Sequence, residues 1–282
     1  MIRIHHEHLD RFVKEHYESL KNKLEDFPKD CKYSLEEVII ANPEKLSEIA
    51  ECLDDKSDYG FMITKYENFT TKKKEYDAYK LAKKLNVNVC PYCNINSTYT
   101  VIKENGKKIT RPEFDHFYDK DTYPILALSF YNLIPSCHTC NSTLKGSEEF
   151  SMKSHLNPYA DSFDEVAKFK LKIEESTFYH SVDGFSVNLE SKDARAKNNI
   201  KNFELDTLYE NHKDIVLELI QKQAIYNESY LDELLTQYEG TLFKNREDLQ
   251  RLVSGGYVND DEIGKRPLSK LIKDISKELG LV

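Results

Sequence analysis

The sequence predicts an α+β fold, mainly helical, with a small centre stapled by a metal ion and one extra β-hairpin. Three observations predict it. Apolar residues recur at three- and four-residue steps through residues 1–86 and again through 208–238 and 267–279. Two Cys-x-x-Cys pairs, Cys90/Cys93 and Cys137/Cys140, fall between these stretches. Residues 169–173 and 185–189 alternate apolar and polar side chains, as a half-buried hairpin does. With 282 residues, 39% of them hydrophobic, there is enough chain for one large domain or two modest ones. The mean hydropathy of −0.65 is on the polar side for a globular enzyme.

Charge and hydropathy exclude some classes of function. No run approaches the roughly 18 apolar residues of a membrane span. The opening Met-Ile-Arg-Ile-His-His carries no apolar signal core, so a cytoplasmic location is expected. A net charge of −9 argues against binding nucleic acid through overall charge. Such contact must come from a local basic patch, a metal ion or a partner.

Residues 1–86 read as a helical region. Leu9, Phe12, Val13, Tyr17, Leu20 and Leu24 fall on one helix face. Leu35, Val38 and Ile39, then Leu46, Ile49, Ala50 and Leu53, give two shorter helices separated by Asn42-Pro43. Tyr76, Tyr79, Ala82 and Leu85 give another, running into the first cysteine pair. Around it Lys65, Lys72, Lys73, Lys74, Lys80, Lys83 and Lys84 outnumber Glu67, Glu75 and Asp77. This is either a solvated helix face or a patch that tracks phosphates, with Lys72, Lys73 and Lys74 at its centre.

Residues 87–160 form the centre. Asn105-Gly106, between two apolar-containing stretches, signals a hairpin turn. Each Cys-x-x-Cys knuckle turns both sulfurs toward one ion, and two knuckles supply the closed tetrahedral thiolate set of a structural Zn²⁺. Cys31 and Cys52 stand alone and read as small buried hydrophobes. Between the knuckles lies Arg111-Pro-Glu-Phe-Asp115-His116-Phe. A carboxylate beside an imidazole can hold a metal and activate a water. Phe114 and Phe117 put the pair on a strand held by the core. Neighbours on a regular strand face opposite ways, so both can serve one site only if the strand ends or twists near Asp115. The second knuckle opens a short helix closed by Gly146, and Asn141, next to a zinc ligand, is fixed by that zinc. His138 should face solvent. His5, His6 and His8 cluster without a spacing partner. Residues 161–282 then carry the extra hairpin, with Asp183-Gly184 in its connection, and a helical C-terminal region. There 208–238 is one long helix or a pair, and 267–279 is amphipathic with Pro267 near its first turn.

The order Asp115-His116, then Asn132, then Cys137-His-Thr-Cys140-Asn141 and Lys145 resembles the HNH endonucleases of the ββα-metal superfamily, in the zinc-stapled branch with two Cys-x-x-Cys pairs. The resemblance covers residues 87–160. It implies a small ββα-metal core with His116 as the general base and Asp115 as a metal-binding carboxylate. By the same resemblance Asn132 braces the loop that positions the histidine. Asn141 stands where the third motif residue, often a histidine, binds the metal. The chain departs from the pattern there, reading His-Asn-Asn. An amide is a weaker ligand than imidazole and favours a hard ion, Mg²⁺ or Mn²⁺. The implied reaction is hydrolysis of DNA to a 5′ phosphate and a 3′ hydroxyl, with His116 near a surface cleft and holding little of the core. Arg111, Lys145 and His155 are candidate phosphate contacts, with solvated or capping roles as their alternatives. Residues 123–137 are similar to the HNH subunits that pair with ATPases in Septu-like and retron-associated anti-phage systems. That implies a protein partner, an ATPase of a defence operon. Cleavage of RNA, including transfer RNA, and a non-catalytic zinc-stabilised binding module are the alternatives.

Overall fold

The computed structural model describes residues 2–52, 59–71 and 75–282. The N-terminal region is helical: α1 (Leu9–Leu20), α2 (Leu35–Ile40), α3 (Pro43–Cys52), α4 (Gly60–Thr71) and α5 (Ala78–Leu85). Ser34 and Glu37 close a reciprocal capping box at the start of α2. Pro43 opens α3, where its missing N–H is not needed. Asp77 caps α5 and Asn86, in the left-handed region, ends it, which turns the chain into the first knuckle. Leu53, expected on α3, lies outside the described residues. Cys52 is exposed at the end of α3, and Cys31 is half-buried, so neither is the buried hydrophobe expected of it.

In the centre, β1 (Val101–Ile102) and β2 (Lys108–Thr110) form the short hairpin around Asn105-Gly106. Gly106 sits at φ 77°, which favours glycine. Strand β3 (Glu113–His116) pairs antiparallel with β4 (Leu133–Ser136), placing Asp115 opposite Ile134 and His116 opposite Leu133. A short π-helix, Thr139–Lys145, follows β4 and stops at Gly146, φ 53°. After the short helix α6 (Phe163–Val166), β5 (Ala167–Ile173) and β6 (Phe185–Ser191) make the expected second hairpin in unbroken register.

The C-terminal helices depart from expectation. Residues 208–238 hold parts of three helices, α8 (Leu205–Glu210), α9 (Lys213–Ile225) and α10 (Glu228–Tyr238), after α7 (Ala194–Asn202). Asn227 accepts from the Tyr230 N–H and so starts α10 as a separate helix. After α11 (Arg246–Ser254), α12 (Ser269–Glu278) packs against β5 and α9. Its pattern is amphipathic as expected, but all residues from Ser269 to Ser276 are buried, so its polar side is covered as well. Buried apolar residues of all three regions join in one cluster, from Ile4 to Leu281. Among the described residues no helix is long and apolar enough to cross a membrane.

Candidate functional site

The four paired cysteines meet. The sulfurs of Cys90, Cys93, Cys137 and Cys140 all lie within 4.8 Å of one another, and all four residues are buried. A tetrahedral set at the usual Zn–S length needs sulfurs about 3.8 Å apart, so the cluster fits such an ion. Its surroundings fit thiolates as well. Cys90 Sγ accepts the Cys137 N–H at 3.4 Å, and Cys93 Sγ accepts the Ile95 N–H at 3.4 Å. Cys137 Sγ accepts from Asn96 Nδ2 at 3.3 Å and from the Cys140 N–H at 3.5 Å. Such donors stabilise sulfur charge and orient the ligands. Asn94, φ 55°, bends the first knuckle back so that its N–H reaches the Cys90 carbonyl at 2.9 Å.

Asp115 is sealed. Only 2% of it is exposed. Tyr92, inside the first knuckle, donates its hydroxyl to Asp115 Oδ2 at 2.6 Å. Burial and the Asp115 charge push the Tyr92 phenol well up, so it stays protonated and donates. Lys145 Nζ stands 3.0 Å from Asp115 Oδ1 and donates to the His116 carbonyl at 2.7 Å. A carboxylate buried this deeply needs such partners, since an unpaired charge there costs several kcal/mol.

His116 ends β3 and is also buried, with 7% exposure, rather than lining an open cleft. Its Nε2 faces the Ala127 carbonyl at 2.9 Å, and the edge of Tyr66, from α4, lies against its ring at 4.4 Å between centroids. A nitrogen facing a carbonyl carries the proton, which leaves the lone pair on Nδ1. Burial lowers the His116 pKa to about 4, against the smaller upward pulls of the Ala127 carbonyl and Asp115. The ring is therefore neutral at pH 7.

Asn132 braces the loop between the two strands. Its Oδ1 accepts the Tyr118 N–H at 2.7 Å, and its Nδ2 donates to the carbonyls of Tyr118 and Leu126 at 3.0 Å each. Leu126 adjoins Ala127, so the amide fixes the carbonyl that orients His116.

Asn141 bonds a different carboxylate. Its Nδ2 donates to Glu113 Oε2 at 2.8 Å, which also accepts Ser142 Oγ at 3.1 Å. His138 Nδ1 is 2.8 Å from Glu113 Oε1. Burial pushes the Glu113 carboxyl up, but the donors Asn141, His138 and Ser142 outweigh it and hold the pKa low. Asp115 and Asn141 thus bond to different partners: both oxygens of the first are taken by Tyr92 and Lys145, and the second donates to Glu113. Sequence reasoning passed over Glu113, although two residues before Asp115 it must share that strand face. It also passed over Tyr92, whose place inside a knuckle was the signal.

The expected phosphate contacts are engaged with protein. Lys145 is buried. Arg111 donates to the Pro112 carbonyl at 2.6 Å and packs over the Tyr79 and Phe114 rings. His155 is buried, stacks on Phe150 at 3.7 Å, and leaves its Nε2 without a partner. Lys65 pairs with Asp26, and Lys84 with Glu15, which neutralises part of the basic stretch. Lys72, Lys73 and Lys74 lie outside the described residues.

Part of the chain has a curated relative. Septu protein PtuB of Bacillus thuringiensis is 36% identical over 75 residues, which is 27% of this chain and 26% of that protein. The aligned stretch thus spans about a quarter of the length of the curated relative it matches. No family model matches the chain, and no solved structure does.

Proposed function

We propose that this chain is an endonuclease that hydrolyses DNA phosphodiester bonds, acting as the effector of an anti-phage defence system. The observation that supports this best is the setting of His116. It is a neutral imidazole at the end of β3, with one nitrogen pinned to the Ala127 carbonyl, which belongs to a loop clamped by Asn132. In this reading Nδ1 takes a proton from water as that water attacks phosphorus in line, and the 3′ oxygen leaves. Lys145, bound to the His116 carbonyl, holds the end of β3 in place. Zinc on the four cysteines supplies structure only, since a closed thiolate set has no open position. Asp115 and Asn141 do not fit a divalent ion as they stand, because the carboxylate is held by Tyr92 and Lys145 and the amide by Glu113. Similarity to part of a Septu protein supports a partner from a defence system, for which an ATPase is our reading. The net charge of −9 fits a nuclease that is delivered to DNA by a partner.

The test offers plasmid DNA, single-stranded DNA and RNA side by side to the purified protein, with Mg²⁺ or Mn²⁺. The parent should cut DNA and His116→Ala should not, with its zinc retained. A His116→Ala protein that cuts like the parent removes the base assignment, and cleavage of RNA alone moves the substrate. One observation favours a second reading, a zinc-stabilised binding module: Asp115 is as fully engaged as a purely structural residue. Nucleic-acid or protein binding with no cleavage under any metal would select it.

A further inference from the structure

Lys145 and Arg111 are engaged with protein, yet one stretch of the surface stays both basic and unpartnered. Residues 78–111 carry seven lysines and arginines against one acid, Glu104, in a chain of net charge −9. Lys84 and Lys108 pair with Glu15 and Asp77. Lys80 and Lys83 on α5, and Lys103 and Lys107 at the tip of the β1–β2 ribbon, are exposed and have no ion-pair partner among the described residues. We infer that the ribbon is an arm that grips a DNA duplex, with its tip lysines on phosphates and its apolar side chains in the major groove.

Three physical arguments lead there. First, the core does not account for the ribbon. Among the described residues β1 and β2 pair with each other and with no third strand, and a lone two-stranded hairpin is marginally stable in water. Its base is fastened by Lys108, which bonds Asp77 and stands over the Tyr79 ring at 5.4 Å. Second, its composition opposes stability in the free protein. The Lys103 N–H donates to the Lys107 carbonyl at 2.9 Å, so two like charges meet across the turn, which is destabilising. Val101 and Ile109 are 43% and 45% exposed. The register steps from Val101 opposite Thr110 to Ile102 opposite Lys108, and this bulge leaves Ile109 with no partner on β1. Both penalties lift when a polyanion lies along the tip and the apolar side chains leave water, and a −9 chain needs such a local basic element to meet DNA. Third, the dimensions agree. The major groove admits a two-stranded ribbon. The nine steps from Lys107 to His116 span roughly 30 Å at most, less than one turn of B-form duplex at about 34 Å, so a gripped duplex passes within a turn of β3.

That the gripped duplex is also cut rests on the reading above; the grip itself does not. The experiment therefore measures binding first. A short labelled DNA duplex is titrated with the full chain over a range of salt concentrations, without added divalent metal, and followed by fluorescence anisotropy. Lys103→Ala with Lys107→Ala should weaken binding by about tenfold at low salt and reduce the salt slope by about 1.8, one phosphate contact for each lysine. Val101→Ser with Ile109→Ser should weaken binding and leave the slope unchanged. Lys170→Ala with Lys172→Ala, on the exposed side of β5, should change neither, and melting temperatures should match throughout. A parent that binds no duplex at low salt overturns the inference, and so does a tip-lysine variant with the parental slope. Duplex RNA is offered beside DNA, because its deep, narrow major groove excludes a ribbon; tighter, tip-lysine-dependent binding of RNA overturns the choice of DNA. Cleavage is then assayed on the same samples with Mg²⁺ or Mn²⁺. A tip-dependent grip in a protein that cuts nothing sinks the nuclease reading and leaves the arm standing. A tip-lysine variant that binds and cuts DNA like its parent sinks the arm and leaves the nuclease.

Discussion

Lys145 and Lys270 are both buried lysines held by aspartates, yet they stand in different company. Lys270 and Lys273, on α12, meet Asp164 and Asp274: Lys270 Nζ is 2.8 Å from Asp164 and 2.5 Å from Asp274, and Lys273 also bonds Asp164. Asp274 accepts the Phe169 N–H at 2.9 Å, and Lys270 donates to the Ala167 carbonyl at 2.7 Å. This cluster is balanced in charge and fastens α6, β5 and α12 together. Among the described residues Lys145 has Asp115 as its one carboxylate, and it also bonds the carbonyl of His116. The first cluster locks three elements, whereas the second sets one residue. Burial of charge alone therefore does not mark a site; what the charge touches does.

The largest expected effect reaches both clusters. Cys90→Ser should lose zinc and unfold or aggregate, because the thiolate set joins the two halves of the centre; zinc stoichiometry and circular dichroism measure it. Next comes Lys270→Ala, which takes the close partner from buried Asp274 while Lys273 still holds Asp164, and should cost about 3–5 kcal/mol in urea unfolding. If the cluster is only a lock, Lys270→Met with Asp274→Leu restores the charge balance and should recover at least half of that loss, with cleavage untouched. Lys145→Met should cost about 3 kcal/mol for stranding Asp115. Here the compensated pair, Lys145→Met with Asp115→Leu, should recover stability but not cleavage. Recovery of both would erase the distinction between the clusters.

His116→Ala should abolish cleavage and also cost about 1–3 kcal/mol, since its ring is buried and bonded, contrary to the expectation of a residue outside the core. The smallest effect is a pH slope. Burial lowers His16 and His116 to about 4, while unfolded histidine titrates near 6.5. Their neutral forms favour the fold fully above about pH 6.5, and that contribution falls as pH drops toward 4, by roughly 1.4 kcal/mol per pH unit for each ring. His16→Gln should flatten the curve by one such increment in urea unfolding between pH 7 and 5.

These contrasts also show what was legible in the residues. The knuckles, both hairpins, α1 to α3, α5 and the stop at Gly146 follow from local spacing and turn chemistry. Helix α4 escaped notice because its sequence carries little periodic contrast, with only Met62 and Phe69 buried among its residues. The burial of α12 escaped because Lys270 and Lys273 look like a solvated face until Asp164, over a hundred positions away, supplies their partner. Glu113 and Asp115 were distinguishable only once Tyr92 and Lys145 were in place, since the sequence offers two carboxylates on one strand face and no way to tell which one is capped.

The bend at Asn94 has a consequence in time. Its Oδ1 accepts the Lys270 N–H at 2.9 Å and its Nδ2 donates to the Ile263 carbonyl at 3.1 Å, while its own carbonyl accepts from Leu268 at 2.6 Å. Asn94 and Lys270 are 176 positions apart. Contacts across so long a loop form late, after the shorter closure of Cys90 onto Cys137. The expected order of assembly is that the sulfurs gather first, with the Asn94 amide still bonded to water, and that the arrival of α12 then completes the turn and covers β5. A chain paused between these steps would hold a metal on the four cysteines with the apolar side of its hairpin open, so refolding in zinc should show metal uptake ahead of the last rise in protection of the Lys270 amide.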